Sequence, residues 1–356
     1  MQMEFPKDFL WGSATSAHQV EGGNRNDWSE WETEKSLEQS GRACDHYNRF
    51  PQDFDIAKSL NQNAHRFSIE WSRIEPEEGK WNEKEIAHYQ EVINALRERG
   101  MEPFVTLWHW TLPVWVARQG GWENKKTIDD FARYVDKITR SLKNVAYWIT
   151  LNEPEIYTMN SYLRGKWPPQ KMSLLRYIVV MQNLVRAHKK AYLVIHQAGA
   201  KAGIAQNNLY FNWFLNKIST HQDFIGVNYY TYYKYGKNWK SDMNWPIYPE
   251  GIYHILKDLK KYNKPVYITE NGVADAKDVY REKFIKEHLR WVHKAISEGV
   301  DVRGYFYWSL LDNFEWDKGF WPRFGLVEID YKTMARRIRQ SAYEYAKIAK
   351  ENALVL

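Results

Sequence analysis

Cysteine is nearly absent: Cys44 stands alone among 356 residues, so no internal disulfide can form and a reducing, cytoplasmic setting is expected. No apolar run approaches the ~20 residues that cross a bilayer. The opening MQMEFPKDFLWG lacks a basic start, an apolar stretch and a small-residue cleavage site, which argues against export by a signal peptide. There is no Gly/Ser/Pro linker, low-complexity tract or internal repeat, so residues 1–356 read as one domain. HExxH, CxxC, P-loop and GxGxxG patterns are all missing. A net charge of +6 would suit an anionic partner, yet Lys and Arg are scattered along the chain. Their densest knot, Arg336-Arg337-Ile338-Arg339, falls in a segment of helical spacing from Ala335 to Lys350. It reads as a solvated helix face, and no nucleic-acid-binding motif accompanies it.

Aromatic residues are what the chain has in excess. They make up 16% of it, with 18 Trp. Flat rings on this scale either fill a large core or hold the apolar faces of sugars, bases and cations. Eight short apolar segments read as strands: FLWGSATS, HRFSIEW, PFVTLWHW, AYWITLNEP, AGIAQNN, DFIGVNYY, PVYITENG and VRGYFYWSLLDN. Helical spacing fills most of the intervals, at Phe54–Leu60, Glu83–Arg99, Ile128–Leu142, Leu174–His196, Gly251–Tyr262 and Phe284–Ser297. Strands alternating with helices over this length predict an α/β fold, a (β/α)8 TIM barrel, with a doubly wound open sheet as the competing architecture. The fifth helical region is reduced. Between AGIAQNN and DFIGVNYY, only Phe211, Phe214, Leu215 and Ile218 carry helical spacing, enough to cover Ile225 and Val227 while Asn228 and Tyr230 point inward.

Polar residues close strand after strand. Arg66 and Ser68 end the second, His109 the third, Asn152-Glu153 the fourth, Asn228 the sixth and Glu270-Asn271 the seventh, while Asp312-Asn313 follow the eighth. Each alone is explained by a cap, an Asx turn or a surface charge. Together they mark the C-terminal mouth of a barrel, where reactive groups gather. Glu153 in ITLNEP and Glu270 in YITENG share one context, an apolar strand running into a Pro or Gly turn. Two carboxylates facing each other across the mouth suit glycoside hydrolysis, one as general acid and the other as nucleophile or base. Spacing alone does not assign the roles or decide between retention and inversion.

From Phe9 to Tyr331 the motifs FLWGSATSAHQVEG, HRFSIEWSRI, TLWHW, TLNEP, DFIGVNYY, YITENG, WSLLDNFEW and RFGLVEIDY resemble glycoside hydrolase family 1, the retaining β-glycosidases, and are closest in appearance to archaeal β-glucosidases. The resemblance implies that Glu270 is the nucleophile and Glu153 the general acid and base. Arg66 and Tyr230 would keep Glu270 ionised, with Asn228 in support, and Asn152 would meet the sugar 2-hydroxyl. Gln19, His109, Trp110, Glu315 and Trp316 match the family's hydroxyl-binding residues, Trp308 the floor under the ring, and Phe324 the wall near the 6-hydroxymethyl. His109, Trp308 and Phe324 also have a plain reading as buried core. The chemistry implied needs no cofactor, and small-molecule β-glycosides or oligosaccharides are the implied partners. Glu153, where the family's thioglucosidases carry Gln, and the Glu315-Trp316 pair, which 6-phospho-β-glycosidases replace, set those relatives aside.

Members of the family are generally longer, and the missing length falls mainly between TLNEP and GVNYY. The leaving-group side is therefore expected to be open and weakly selective, and the thinner wall would leave apolar surface suited to a homo-oligomer. A transglycosylase would use the same residues, and a catalytically silent carbohydrate-binding barrel would usually have lost one of the two glutamates.

Overall fold

Each of the eight apolar segments becomes a parallel strand: β1 (Leu10–Ala14), β2 (Ala64–Ser68), β3 (Glu102–Trp108), β4 (Tyr147–Asn152), β5 (Lys201–Asn207), β6 (Phe224–Tyr229), β7 (Val266–Asn271) and β8 (Val302–Trp308). They pair in chain order and β8 closes on β1, from Leu10 beside Gly304 to Ala14 beside Trp308, giving a (β/α)8 barrel. The computed structural model describes residues 2–207, 212–232 and 239–355. Helices Glu83–Glu98, Lys126–Ser141, Leu174–Gln197, Glu250–Leu259 and Arg281–Ser297 occupy the segments of helical spacing. The helix before β2 is longer than expected, running His46–Ser59 through Pro51 in its second turn, where the fixed φ of proline fits at the loss of one N–H bond. Among the described residues no helix is long and apolar enough to cross a membrane.

The Arg336-Arg337-Ile338-Arg339 knot is not a helix face. Ala335–Ile338 is a strand paired antiparallel with Val327–Asp330, and the last long helix begins only at Gln340. Two of its arginines are drawn inward instead of solvated. Arg336 Nε donates to Asp53 Oδ1 at 2.8 Å, and Arg339 grips both oxygens of Asp312 at 2.9 Å. Buried carboxylates that need partners thus override the helical spacing. In the short connection before β6, Trp213–Ile218 forms the expected small helix. Phe214, Leu215 and Ile218 are buried in one apolar layer with Ile225 and Val227, while Phe211 lies outside the described residues.

Aromatic rings fill the barrel interior. Phe104 stacks on Tyr147 with ring centres 4.4 Å apart and meets Phe306 at 4.8 Å and Tyr267 at 5.0 Å. Small residues opposite make this possible. A Cβ on Gly203 would lie 2.6 Å from the Phe224 ring, and one on Gly12 would lie 2.8 Å from Phe306. The packed rings plug the barrel beneath its C-terminal mouth, so the polar residues above them sit on a rigid base.

Candidate active site

Three strands carry irregularities where they deliver polar groups. Parallel registry breaks between Ile149 and Asn152 in β4, at Val227–Asn228 in β6, and between Ile268 and Asn271 in β7. Such breaks re-aim side chains that strict alternation would turn outward. Thr269 and Glu270 are neighbours in sequence, yet Thr269 donates to Asn228 at 2.7 Å while Glu270 meets Arg66. Glu153 lies just past β4 with φ 41°, and Trp110 and Trp316 also take left-handed backbone, at 76° and 51°. Non-glycine residues in that region are strained, and strain of this kind clusters at functional sites.

Arg66 is the hub. Its Nη1 donates to Glu270 Oε1 at 2.5 Å and to the Thr269 carbonyl at 3.1 Å, its Nη2 to Asn152 Oδ1 at 2.7 Å, and its Nε to Thr106 at 3.1 Å. Tyr230 donates its hydroxyl to the other Glu270 oxygen at 2.5 Å. Glu153 Oε1 accepts from Asn228 Nδ2 at 2.9 Å and from Asn207 Nδ2 at 3.2 Å. Glu153 and Glu270 line one cavity and lie close enough for the charge of Glu270 to act on Glu153. Asn152 Oδ1 takes its bonds from Arg66 and Asn228, so its Nδ2 faces His109 Nε2 at 3.0 Å. That nitrogen of His109 must accept, which places the ring proton on Nδ1, a buried atom with no hydrogen-bond partner among the described residues.

Glu153 and Glu270 are each 4% exposed, yet their environments differ. Burial, reinforced by the charge of Glu270, raises Glu153 to about 8. Burial also raises Glu270, but the Arg66 charge and the Tyr230 and Arg66 hydrogen bonds oppose it. The pair therefore splits, with the anion resting on Glu270 and the proton on Glu153. Glu315 keeps some contact with the cavity and is likewise raised to about 8 by burial and its acidic neighbours. His109 is pushed down by burial and by Arg66, and stays neutral.

Both glutamates face a cavity of about 240 Å³ whose lining includes Gln19, His109, Trp110, Tyr230, Trp308, Glu315, Trp316 and Phe324. Gln19 Nε2 points at Glu315 Oε2 from 3.3 Å and is anchored on the Phe314 carbonyl at 2.8 Å. His109 lies nearly parallel to Trp308 and Trp316, and Trp110 packs on Trp316 with centres 4.8 Å apart. Asn152, Arg66 and Asn228 are close to both glutamates but stand behind the wall, outside the cavity lining. Three other strand-end residues are structural. Ser68 accepts from the Ala17 N–H, Asn271 bonds Tyr229 and Tyr305, and Asp312 binds Arg339. Asn207 escaped the sequence reading although it closes β5 just as Asn228 closes β6. Trp167, Met243 and Trp245 also line the cavity, but they come from loops with no periodic signal.

The comparisons with known proteins agree with this geometry. The model of glycosyl hydrolase family 1 matches residues 1–214 and 233–354, breaking in the region that reads as shortened. β-Glucosidase A of Thermotoga maritima is 36% identical over 440 aligned positions, covering 99% of each chain, so that relative carries segments this one lacks. A β-galactosidase of Pyrococcus woesei is 29% identical over 95% of each chain. The structure of a β-glycosidase from Pyrococcus horikoshii superposes with TM-score 0.97 at 40% identity, covering 100% of this chain and 97% of that one. With the family model spanning nearly the whole sequence and relatives above 30% identity aligned end to end, the chain belongs to glycosyl hydrolase family 1.

Proposed function

We propose that this protein is a retaining β-glycosidase that releases terminal non-reducing β-D-glycosyl residues, with Glu270 as nucleophile and Glu153 as general acid and base. The observation that carries the reading is the split of two buried carboxyls that line one cavity. Glu270 is held as an anion by Arg66 and Tyr230, and Glu153 keeps a proton to about 8. In the first displacement Glu270 forms a bond to the anomeric carbon as the glycosidic C–O bond breaks, and Glu153 gives its proton to the departing oxygen. The ester removes the charge of Glu270. Glu153, now an anion, takes a proton from water as its oxygen attacks the same carbon and releases Glu270. Two inversions leave the configuration unchanged.

The glycone would stack on Trp308, with hydroxyls meeting Gln19, Glu315, Trp316 and His109. Asn152, behind His109, positions that ring, and reaches the 2-hydroxyl only from the back of the site. Gln19 and Glu315 side by side suit equatorial or axial 4-hydroxyls, so β-glucosides and β-galactosides are both expected substrates. The test is hydrolysis of a panel of aryl β-glycosides by wild type, Glu270→Gln and Glu153→Gln, with NMR following the anomer first released. Retention, with both variants reduced by several orders of magnitude, supports the assignment. Full activity in Glu270→Gln overturns it.

A further inference from the structure

The cavity lining has a half that the sugar reading does not use. Ile156, Met159, Met243 and Trp245 make it apolar, and Arg164 and Lys166 add charge. Both cations are exposed, and neither side chain has a hydrogen bond or ion pair among the described residues. Of the other charged groups there, Glu315 faces Gln19, and Lys318 and Asp317 match each other. Lys318 pairs with Asp317 at 2.7 Å, and Asp317 also accepts from Trp167 Nε1 at 3.0 Å. Residues 208–211 and 233–238 contain no Asp or Glu in sequence, so no carboxylate is available from them. Deeper in, Glu270 is balanced by Arg66. Arg164 and Lys166 are thus two cations of the lining with no carboxylate partner among the described residues.

The backbone fixes where these cations stand. The Arg164 N–H bonds the Met159 carbonyl and the Lys166 N–H the Asn160 carbonyl, both at 2.8 Å, on the turn that continues from the Glu153 segment. Gly165 between them takes φ +61° with Met172 packed against it, where a Cβ would meet Met172 Cγ at 2.8 Å. Two like charges held beside one cavity, with no partner of their own, form a recognition pair for an anion.

We propose that the leaving-group side of this site takes β-glycosides whose aglycone has an apolar body ending in an anionic group, carboxylate, phosphate or sulfate, with the body against Met243 and Trp245 and the anion on Arg164 and Lys166. The inference rests on the glycosidase reading above and deepens it. An open rim selects weakly by shape, and these cations add selection by charge.

The test compares the β-glucosides of 3-(4-hydroxyphenyl)propionate and of its primary amide, which share leaving-group shape and acidity and differ in charge. At low salt the carboxylate should be favoured about tenfold in kcat/KM, and the preference should fade in 0.5 M NaCl, where screening is within a few ångströms. Arg164→Gln/Lys166→Gln should bring the ratio to about one, and Arg164→Lys should keep most of it. Equal rates for the two glucosides in wild type, or a preference that survives in the double glutamine variant, overturns the proposal. So does failure to cleave either compound while 4-nitrophenyl β-glucoside is hydrolysed. Failure on 4-nitrophenyl β-glucoside as well removes the glycosidase reading, and this inference with it.

Discussion

The acid–base role proposed for Glu153 depends on a charge that must vanish at the right moment. In the resting protein Glu153 is raised to about 8, first by burial and then by the negative charge of Glu270. Replacing Glu270 with Gln removes that charge while keeping the volume, as ester formation does during turnover. At the ~5.5 Å expected of a retaining carboxyl pair and an effective dielectric of about 20, the lost repulsion is roughly 3 kcal/mol, or about two pH units. Arg66, no longer neutralised, pulls in the same direction. Glu153 should therefore titrate near 6 in Glu270→Gln, an anion at neutral pH and ready to act as a base. The assay is a 13C NMR titration of protein labelled at the glutamate carboxyl carbons, with the Glu153 resonance assigned by its loss in a Glu153→Gln/Glu270→Gln variant. A Glu153 that still titrates near 8 in Glu270→Gln would refute the reasoning, because burial alone would then set its proton affinity.

The Tyr230 hydroxyl donates to Glu270 at 2.5 Å, so Tyr230→Phe should lower kcat/KM about tenfold to a hundredfold and shift its acidic limb upward. A limb that stays in place counts against the contact. Arg66→Met strands a buried carboxylate and should cost about 3–5 kcal/mol in denaturant unfolding, whereas Arg66→Met/Glu270→Gln should cost clearly less than the two single changes added together. Glu155, buried beside Gln206, is raised by burial to about 8, so the folded protein holds a proton there that the unfolded chain has released above its ordinary 4.5. Its contribution falls as pH rises from about 5 to 7.5, and Glu155→Gln should gain about 1.4 kcal/mol per pH unit relative to wild type, with parallel stability curves as the contrary result. Gly203→Ala pushes a methyl against the Phe224 ring and should cost about 1–3 kcal/mol in thermal unfolding.

The barrel was legible because its strands are buried on both sides. A run such as Val266–Ile268 must be apolar all along when helices cover one face and the aromatic plug the other, and such runs stand out between helical segments. The Arg336–Arg339 hairpin was not legible because its pattern is set at a distance. Asp53 and Asp312 draw in Arg336 and Arg339 from far along the chain, and nothing within the four residues records those partners. The early start of the His46–Ser59 helix was hidden by Pro51, a residue that argues against a helix wherever the first turns are not known.

The site was legible where a polar residue ends an apolar strand, and less so where direction matters. Asn152 and Glu153 adjoin in sequence, and period-two alternation would send them to opposite faces. The left-handed turn at Glu153 and the broken registry at β4 let both serve the same site, one from behind the wall and one within it. Position at a strand end therefore predicted membership of the site, while the division of labour needed the backbone. Asn228 makes the point most sharply. As a strand-ending Asn it looks no different from Asn207 or Asn271, but Thr269 leaves no choice in its orientation: the Thr269 hydroxyl occupies Asn228 Oδ1, which turns the amide nitrogen toward Glu153 and Asn152. A single hydrogen bond from the residue before Glu270 thus orients the amide that holds Glu153, and ties the setting of one carboxyl to the strand that carries the other.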